Sequence, residues 1–270
     1  MSSPTSQTPP PPFPNQPPMP IMPPEPAGPG LSEPRRLVNV FIAPSKTFID
    51  LKRKSSWWVP WLITAVFSLM FAVVAVQKID MAHFVQEQID KSPRQQKQME
   101  QMSPEQRAQN LAIRAMITKV SFYLYPLLSL LGGLIIAAIL MAVFNFGFGA
   151  EVPFSRAMGV VFYAGLTGIV RAVLLTISLL TASDPSTIDI TANPMPTNPG
   201  FFLDPQGNQV LYSLASALDI FVIWYVILLA LGFSAASSNK KPAVGTAVIT
   251  MFVIYGIVVL CGLGFKLAFT

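Results

Sequence analysis

Histidine and cysteine are almost missing from this chain: in 270 residues there is one of each, His83 and Cys261. A lone histidine excludes a two-histidine metal site within one chain and leaves a histidine-centred triad without its base. One cysteine gives neither a disulfide framework nor a cysteine-based metal spacing. Charge is scarce too. Charged residues make up 11% of the chain, against about a quarter in a soluble domain, while hydrophobic residues reach 52%. No glycine-rich phosphate loop follows a strand, and serine elbow, zinc spacing and carboxylate dyad are all missing. The expectation is a protein without enzymatic chemistry, cofactor or metal. The net charge of +5 does not point to nucleic acid, because Lys and Arg stand mainly beside apolar runs, as membrane topology requires.

What the chain has instead is long apolar runs. A helix needs roughly 20 residues to cross a hydrocarbon core of about 30 Å, and runs of that order lie at 57–77, 120–148, 157–182, 211–236 and 243–265. The fold class expected is all-α, a polytopic membrane protein of five transmembrane helices. Trp57, Trp58 and Trp61, next to Lys52-Arg53-Lys54, mark the membrane-water boundary at the first span. Gly132-Gly133 in the second span and Ala164 with Gly168 in the third allow close helix approach, and Pro126 is expected to bend the second.

Residues 1–34 are mostly Pro, Ser, Gln, Asn and Met, with no Lys or Arg before Arg35. Such a segment cannot bury enough surface to offset its ordering entropy, so a disordered tail is expected. Its proline runs favour polyproline II, a shape that can dock into an aromatic-lined groove of a cytoplasmic partner. No basic n-region with a following apolar stretch opens the chain, and Ser2 excludes N-myristoylation. From Arg35 to Ser56, apolar residues alternate with Lys46, Lys52, Arg53 and Lys54. This reads as an interfacial amphipathic segment, with Phe41 and Phe48 dipping into the headgroup boundary as anchors.

Two polar loops set the threading. The segment 78–119 contains Ser92-Pro93-Arg94-Gln95 and Ser103-Pro104-Glu105-Gln106, each with the spacing of a capped helix start. The loop 183–210 carries Asp184, Asp189 and Asp204 and no Lys or Arg. A short loop without cations belongs on the non-cytoplasmic side, which places the N-terminus in the cytoplasm and the C-terminus outside. Against this stand seven Lys or Arg in the 78–119 loop, offset in part by its five acidic residues.

Two charges lie within spans. Arg171 is about 21 Å along its helix, roughly 9 Å from the outer edge of the core, and Asp219 is about 12 Å inside the same edge. Their matched depths predict a direct ion pair between antiparallel neighbours. Such a pair would either fix helix register or form part of a proton or ion relay, and the alternative to a pair is an Arg171 that snorkels outward.

The stretch from Leu37 to Phe48 (LVNVFIAPSKTF), the Trp-rich start of the first span, and Leu218-Asp219-Ile220-Phe221-Val222-Ile223-Trp224 resemble the Yip1 (Ypt-interacting protein) family. So does Leu229 to Ser234 closing on Lys240-Lys241. The resemblance implies five transmembrane helices, a cytoplasmic N-terminus and, in eukaryotic members, links to vesicle trafficking through Rab-type GTPases. The Asp-Leu-Tyr-Gly-Pro element of those members is replaced here by Ala43-Pro44-Ser45, so the chain looks more like a prokaryotic member of the cytoplasmic membrane. The function expected is a non-enzymatic membrane scaffold or adaptor that assembles with itself or with other membrane proteins. A transporter or channel subunit using Arg171 and Asp219 is the alternative.

Overall fold

A computed structural model describes residues 29–185, 188, 190, 193–205 and 207–269. Most of the proline-rich segment, and Asp189, lie outside the described residues. Among those described, the chain is all-α.

Helix α1 (Glu33–Ile42) starts with Glu33 and Pro34 in its first turn and ends at Ala43. Pro44 forces that ending, because the residue before a proline is driven out of the helical region. The same proline then opens α2 (Pro44–Asp50) from its first position. The helical part therefore begins two residues before Arg35, inside the segment expected to be tail.

Helix α3 (Trp58–Lys78) makes the first crossing. Asp80 caps α4 (Met81–Asp90) by accepting from the amides of Ala82 and His83. Of the two Ser-Pro starts, only the second forms its cap: Ser92 before α5 (Pro93–Glu100) makes no side-chain cap bond, whereas Ser103 and Gln106 form a reciprocal capping box at α6 (Pro104–Phe148). Helix α6 runs unbroken for 45 residues. That is about 68 Å of helix, more than twice the hydrocarbon thickness, so its first turns project beyond the bilayer beside α4 and α5. It runs through Pro126, whose carbonyl accepts from the Trp61 indole N–H of α3 (3.1 Å).

Gly149, at φ 65, takes the left-handed conformation that stops α6. The third crossing divides into α7 (Phe154–Ala164) and α8 (Thr167–Thr181), with Gly165 and Leu166 between them. The fourth is bent by 52° where α9 (Gln209–Ala217) meets α10 (Ile220–Ala236). Helix α11 (Val244–Phe269) packs on α10 and α9 and leaves most of its apolar surface for lipid. Four helical stretches are long and apolar enough to cross a membrane, and counting the bent pair as one crossing brings this to five. The chain is thus an integral multi-pass membrane protein.

Two apolar clusters sit at opposite ends of the bundle. One, around Ile79, Phe84, Ile89 and Leu179, joins α4 to the far ends of α3 and α8. The other is larger. It brings Val40, Phe48 and Leu51 of the first two helices against Phe144, Val160, Tyr163 and Phe233. Glycines make this contact close: a Cβ on Gly232 would stand 3.2 Å from the Phe48 ring and collide with Val160, and Leu51 lies against Gly159. We call this end the N-terminal face. The two short turns meet there, where the amides of Ser238 and Asn239 donate to the Ala150 carbonyl (2.9 and 3.3 Å). The side chain of Asn145 clasps Val152 beneath them, accepting from its amide (2.7 Å) and donating to its carbonyl (3.0 Å).

Candidate functional site

Three charged side chains meet on the N-terminal face, two of them buried. Helix α1 presents Glu33 and Arg36 one turn apart, and α2 brings Asp50 from the other side. Arg36 and Asp50 are 2% and 7% exposed, so neither charge could remain unpaired without a large desolvation cost. Arg36 donates through Nε to Asp50 Oδ2 (2.7 Å) and through one terminal nitrogen to Ser56 Oγ (2.7 Å), the Lys54 carbonyl (3.0 Å) and Glu33 Oε1 (3.3 Å). Ser56 Oγ donates to Glu33 Oε1 (2.6 Å), and Tyr163 of α7 donates its hydroxyl to Glu33 Oε2 (2.8 Å). The Leu31 amide completes the set by donating to Asp50 Oδ2 (3.2 Å). Burial by itself would weaken proton binding at Arg36, but the hydrogen bond and charge of Asp50, with the charge of Glu33, outweigh it and raise the guanidinium above its usual value.

Beside this network lies a group of cations with a different task. Lys52 Nζ donates to the Ser237 carbonyl (2.6 Å), while Arg156 donates to the Ala236 carbonyl (2.8 Å) and Ser238 Oγ (2.6 Å). Both close the C-terminus of α10, where unpaired carbonyls and the negative end of the helix dipole favour positive charge. Burial, then the positive charges of Arg156 and Lys241, push the Lys52 ammonium below its usual value.

The expected Arg171–Asp219 pair is not formed among the described residues. Asp219 is consumed at the helix break, where it caps α10. It accepts from the Phe221 amide (2.9 Å) and the Val222 amide (3.3 Å), and from the Thr197 hydroxyl (2.5 Å). Tyr255 of α11 seals the other side by donating its hydroxyl to the Ala217 carbonyl (2.5 Å). The break is therefore satisfied by protein groups, the condition under which irregular backbone is tolerated at membrane depth. Arg171 faces a different neighbourhood, a cavity among α3, α6 and α8. Asp219→Ala should consequently cost about 0.5–2 kcal/mol, the usual range for a lost N-cap. Arg171→Gln should leave the melting temperature in detergent nearly unchanged, and a thermal scan of both variants separates this arrangement from a static pair, which predicts equal losses.

The aromatic residues expected at the interface divide. Phe48 is fully buried in protein between α7 and α10, so its reading as a lipid anchor is corrected. Amphipathic periodicity shows that a face is covered, and here the cover is protein. Phe41 packs edge-on against Trp224 at 5.6 Å. Trp57 lies 5.9 Å from Phe162, Trp61 is tied to Pro126, and Trp58 remains exposed.

Sequence reading missed the Arg36 network. A signal was present: between Glu33 and Asp80 the strongly basic stretch holds one acidic residue, Asp50. No group of three or more His, Cys, Asp or Glu side chains able to hold a metal occurs among the described residues.

No curated protein and no solved structure matches this chain. The family model described as the Yip1 domain matches residues 38–263, from the middle of α1 almost to the end of α11, and the chain belongs to that family.

Proposed function

We propose that the chain is a Yip1-like membrane scaffold or adaptor without catalytic activity, working through its N-terminal face and assembling with itself or with other membrane proteins. The observation that carries this reading is the Arg36-centred network. It ties a short extramembrane helix pair to the lipid-embedded bundle through buried charge, which makes that face one rigid surface rather than a bundle with a loose leader. Leu31 is held by Asp50 on the same face, so a cytoplasmic partner caught by the proline-rich segment would be brought against it. The cation-free loop 183–210 supports a cytoplasmic position for this face and an outside C-terminus.

The test is recovery of the full-length chain from membranes in a mild detergent, followed by cross-linking and identification of co-purified membrane proteins. The scaffold reading expects a defined partner set, or cross-linked homo-oligomers, that is lost from Asp50→Ala while insertion persists. An unchanged set with the helix pair released would contradict it. The broken fourth crossing is the feature that favours a transport role, because half-helix ends often hold ions in transporters. That reading expects a pH-dependent flux in proteoliposomes which Asp219→Asn abolishes in folded protein.

A further inference from the structure

Arg171 is half-buried within the membrane-spanning part of α8, yet no salt bridge or hydrogen bond reaches it among the described residues. It lines a cavity of about 460 Å³ between α3, α6 and α8 that no acidic side chain lines among the described residues. Phe67, Phe71, Phe122 and Leu175 supply much of its apolar wall, and Thr64, Ser68 and Tyr125 bring hydroxyls to it. A cation against apolar rings is complementary to a molecule with an anionic head and a hydrocarbon body. Arg171 stands ten residues before the end of α8 at Thr181. That is about 15 Å of helix, of which a long arginine side chain covers roughly half, so the headgroup it pairs with is drawn well below its neighbours.

We infer that this cavity holds one anionic phospholipid, whose phosphate pairs with Arg171 and whose acyl chain lies along the aromatic wall. A guanidinium offers planar, paired donors to phosphate, and such charge-assisted bonds are stronger where water is excluded. The lipid then fills the gap that α3, α6 and α8 leave between them as an exchangeable ligand, not as a brace of the fold.

The experiment uses the full-length chain, reconstituted in phosphatidylcholine vesicles containing a minor share of phosphatidylglycerol, re-extracted in mild detergent, and weighed with its bound lipid by native mass spectrometry. Wild type should retain one phosphatidylglycerol in preference to phosphatidylcholine by about tenfold or more, the scale of one charge-assisted bond. Arg171→Gln should lose that preference. Gly168→Leu supplies the second variant: a Cβ at Gly168 meets nothing within 4 Å and Gly168 lines the cavity, so the new side chain starts into the space the lipid would occupy. It too should release the lipid, while its melting temperature in lipid-free detergent matches that of wild type. Lys241→Gln, on the N-terminal face, should keep it. Displacement of the lipid by millimolar inorganic phosphate would make the site one for free phosphate and overturn the lipid assignment. Equal retention by wild type and Arg171→Gln would mean adventitious annular lipid only, and would overturn the site itself.

Discussion

Asp50→Ala is expected to lower the stability of the folded protein in detergent by about 3–5 kcal/mol, the range seen when one partner of a buried ion pair is removed. The reason lies in what is left behind. Arg36 would keep its position at 2% exposure without the carboxylate that accepts its Nε proton, and Leu31 would lose its acceptor as well. The contribution of the pair itself is smaller than the damage from splitting it, since both charges also had to leave water. Replacing both partners together, Arg36→Leu with Asp50→Leu, should therefore recover a large part of the loss. Calorimetry on the two single variants and the double variant measures this coupling directly, and strictly additive losses would show that the two side chains act independently.

Phe48→Ala should be comparably severe, about 3–5 kcal/mol for a fully buried aromatic ring whose cavity cannot collapse. The ring is seated against Gly232 and Val160, on helices fixed at both ends by the bundle, so its neighbours have little freedom to close the space. The complementary change, Gly232→Val, fails for the opposite reason, because its first side-chain carbon already collides with Val160. Thermal unfolding of Phe48→Ala beside Phe41→Ala decides the point. Phe41 is 36% exposed and touches Trp224 at one edge, so it should cost far less. Equal costs would return both residues to the role of lipid anchors.

The crossings were legible because apolar runs of membrane length have one economical solution, with every backbone group satisfied inside a helix. Helix α6 joins two features that stand apart in the sequence, the capped start at Ser103 and the apolar run from 120, with no proline or glycine between Glu105 and Val120 to part them. The bend at Leu218–Asp219 was hidden. An aspartate inside an apolar run looks the same whether it faces a cation across the bundle or caps a new helix where it stands, and composition alone favours the first reading. Counting depth along an unbroken helix from Leu211 then gave Asp219 a matching partner in Arg171 that the real path does not provide. The charge network was hidden for a similar reason. Glu33, Arg36 and Asp50 lie on two short helices whose mutual angle is set by the Ala43–Pro44 corner, and periodicity along each helix says nothing of how they fold on one another. Phe48 shows the same limit, because an apolar stripe reads alike over lipid and over protein.

Helix α2 has only seven residues, too few to hold its shape alone in water. Its amide exchange therefore reports docking directly. Hydrogen–deuterium exchange of the full-length protein in mild detergent, with wild type and Asp50→Ala compared side by side, should show slow exchange across Thr47–Leu51 in wild type and fast exchange in the variant. Fast exchange in both, or equal protection in both, would contradict an extramembrane helix pair held to the bundle by the Arg36–Asp50 charge network.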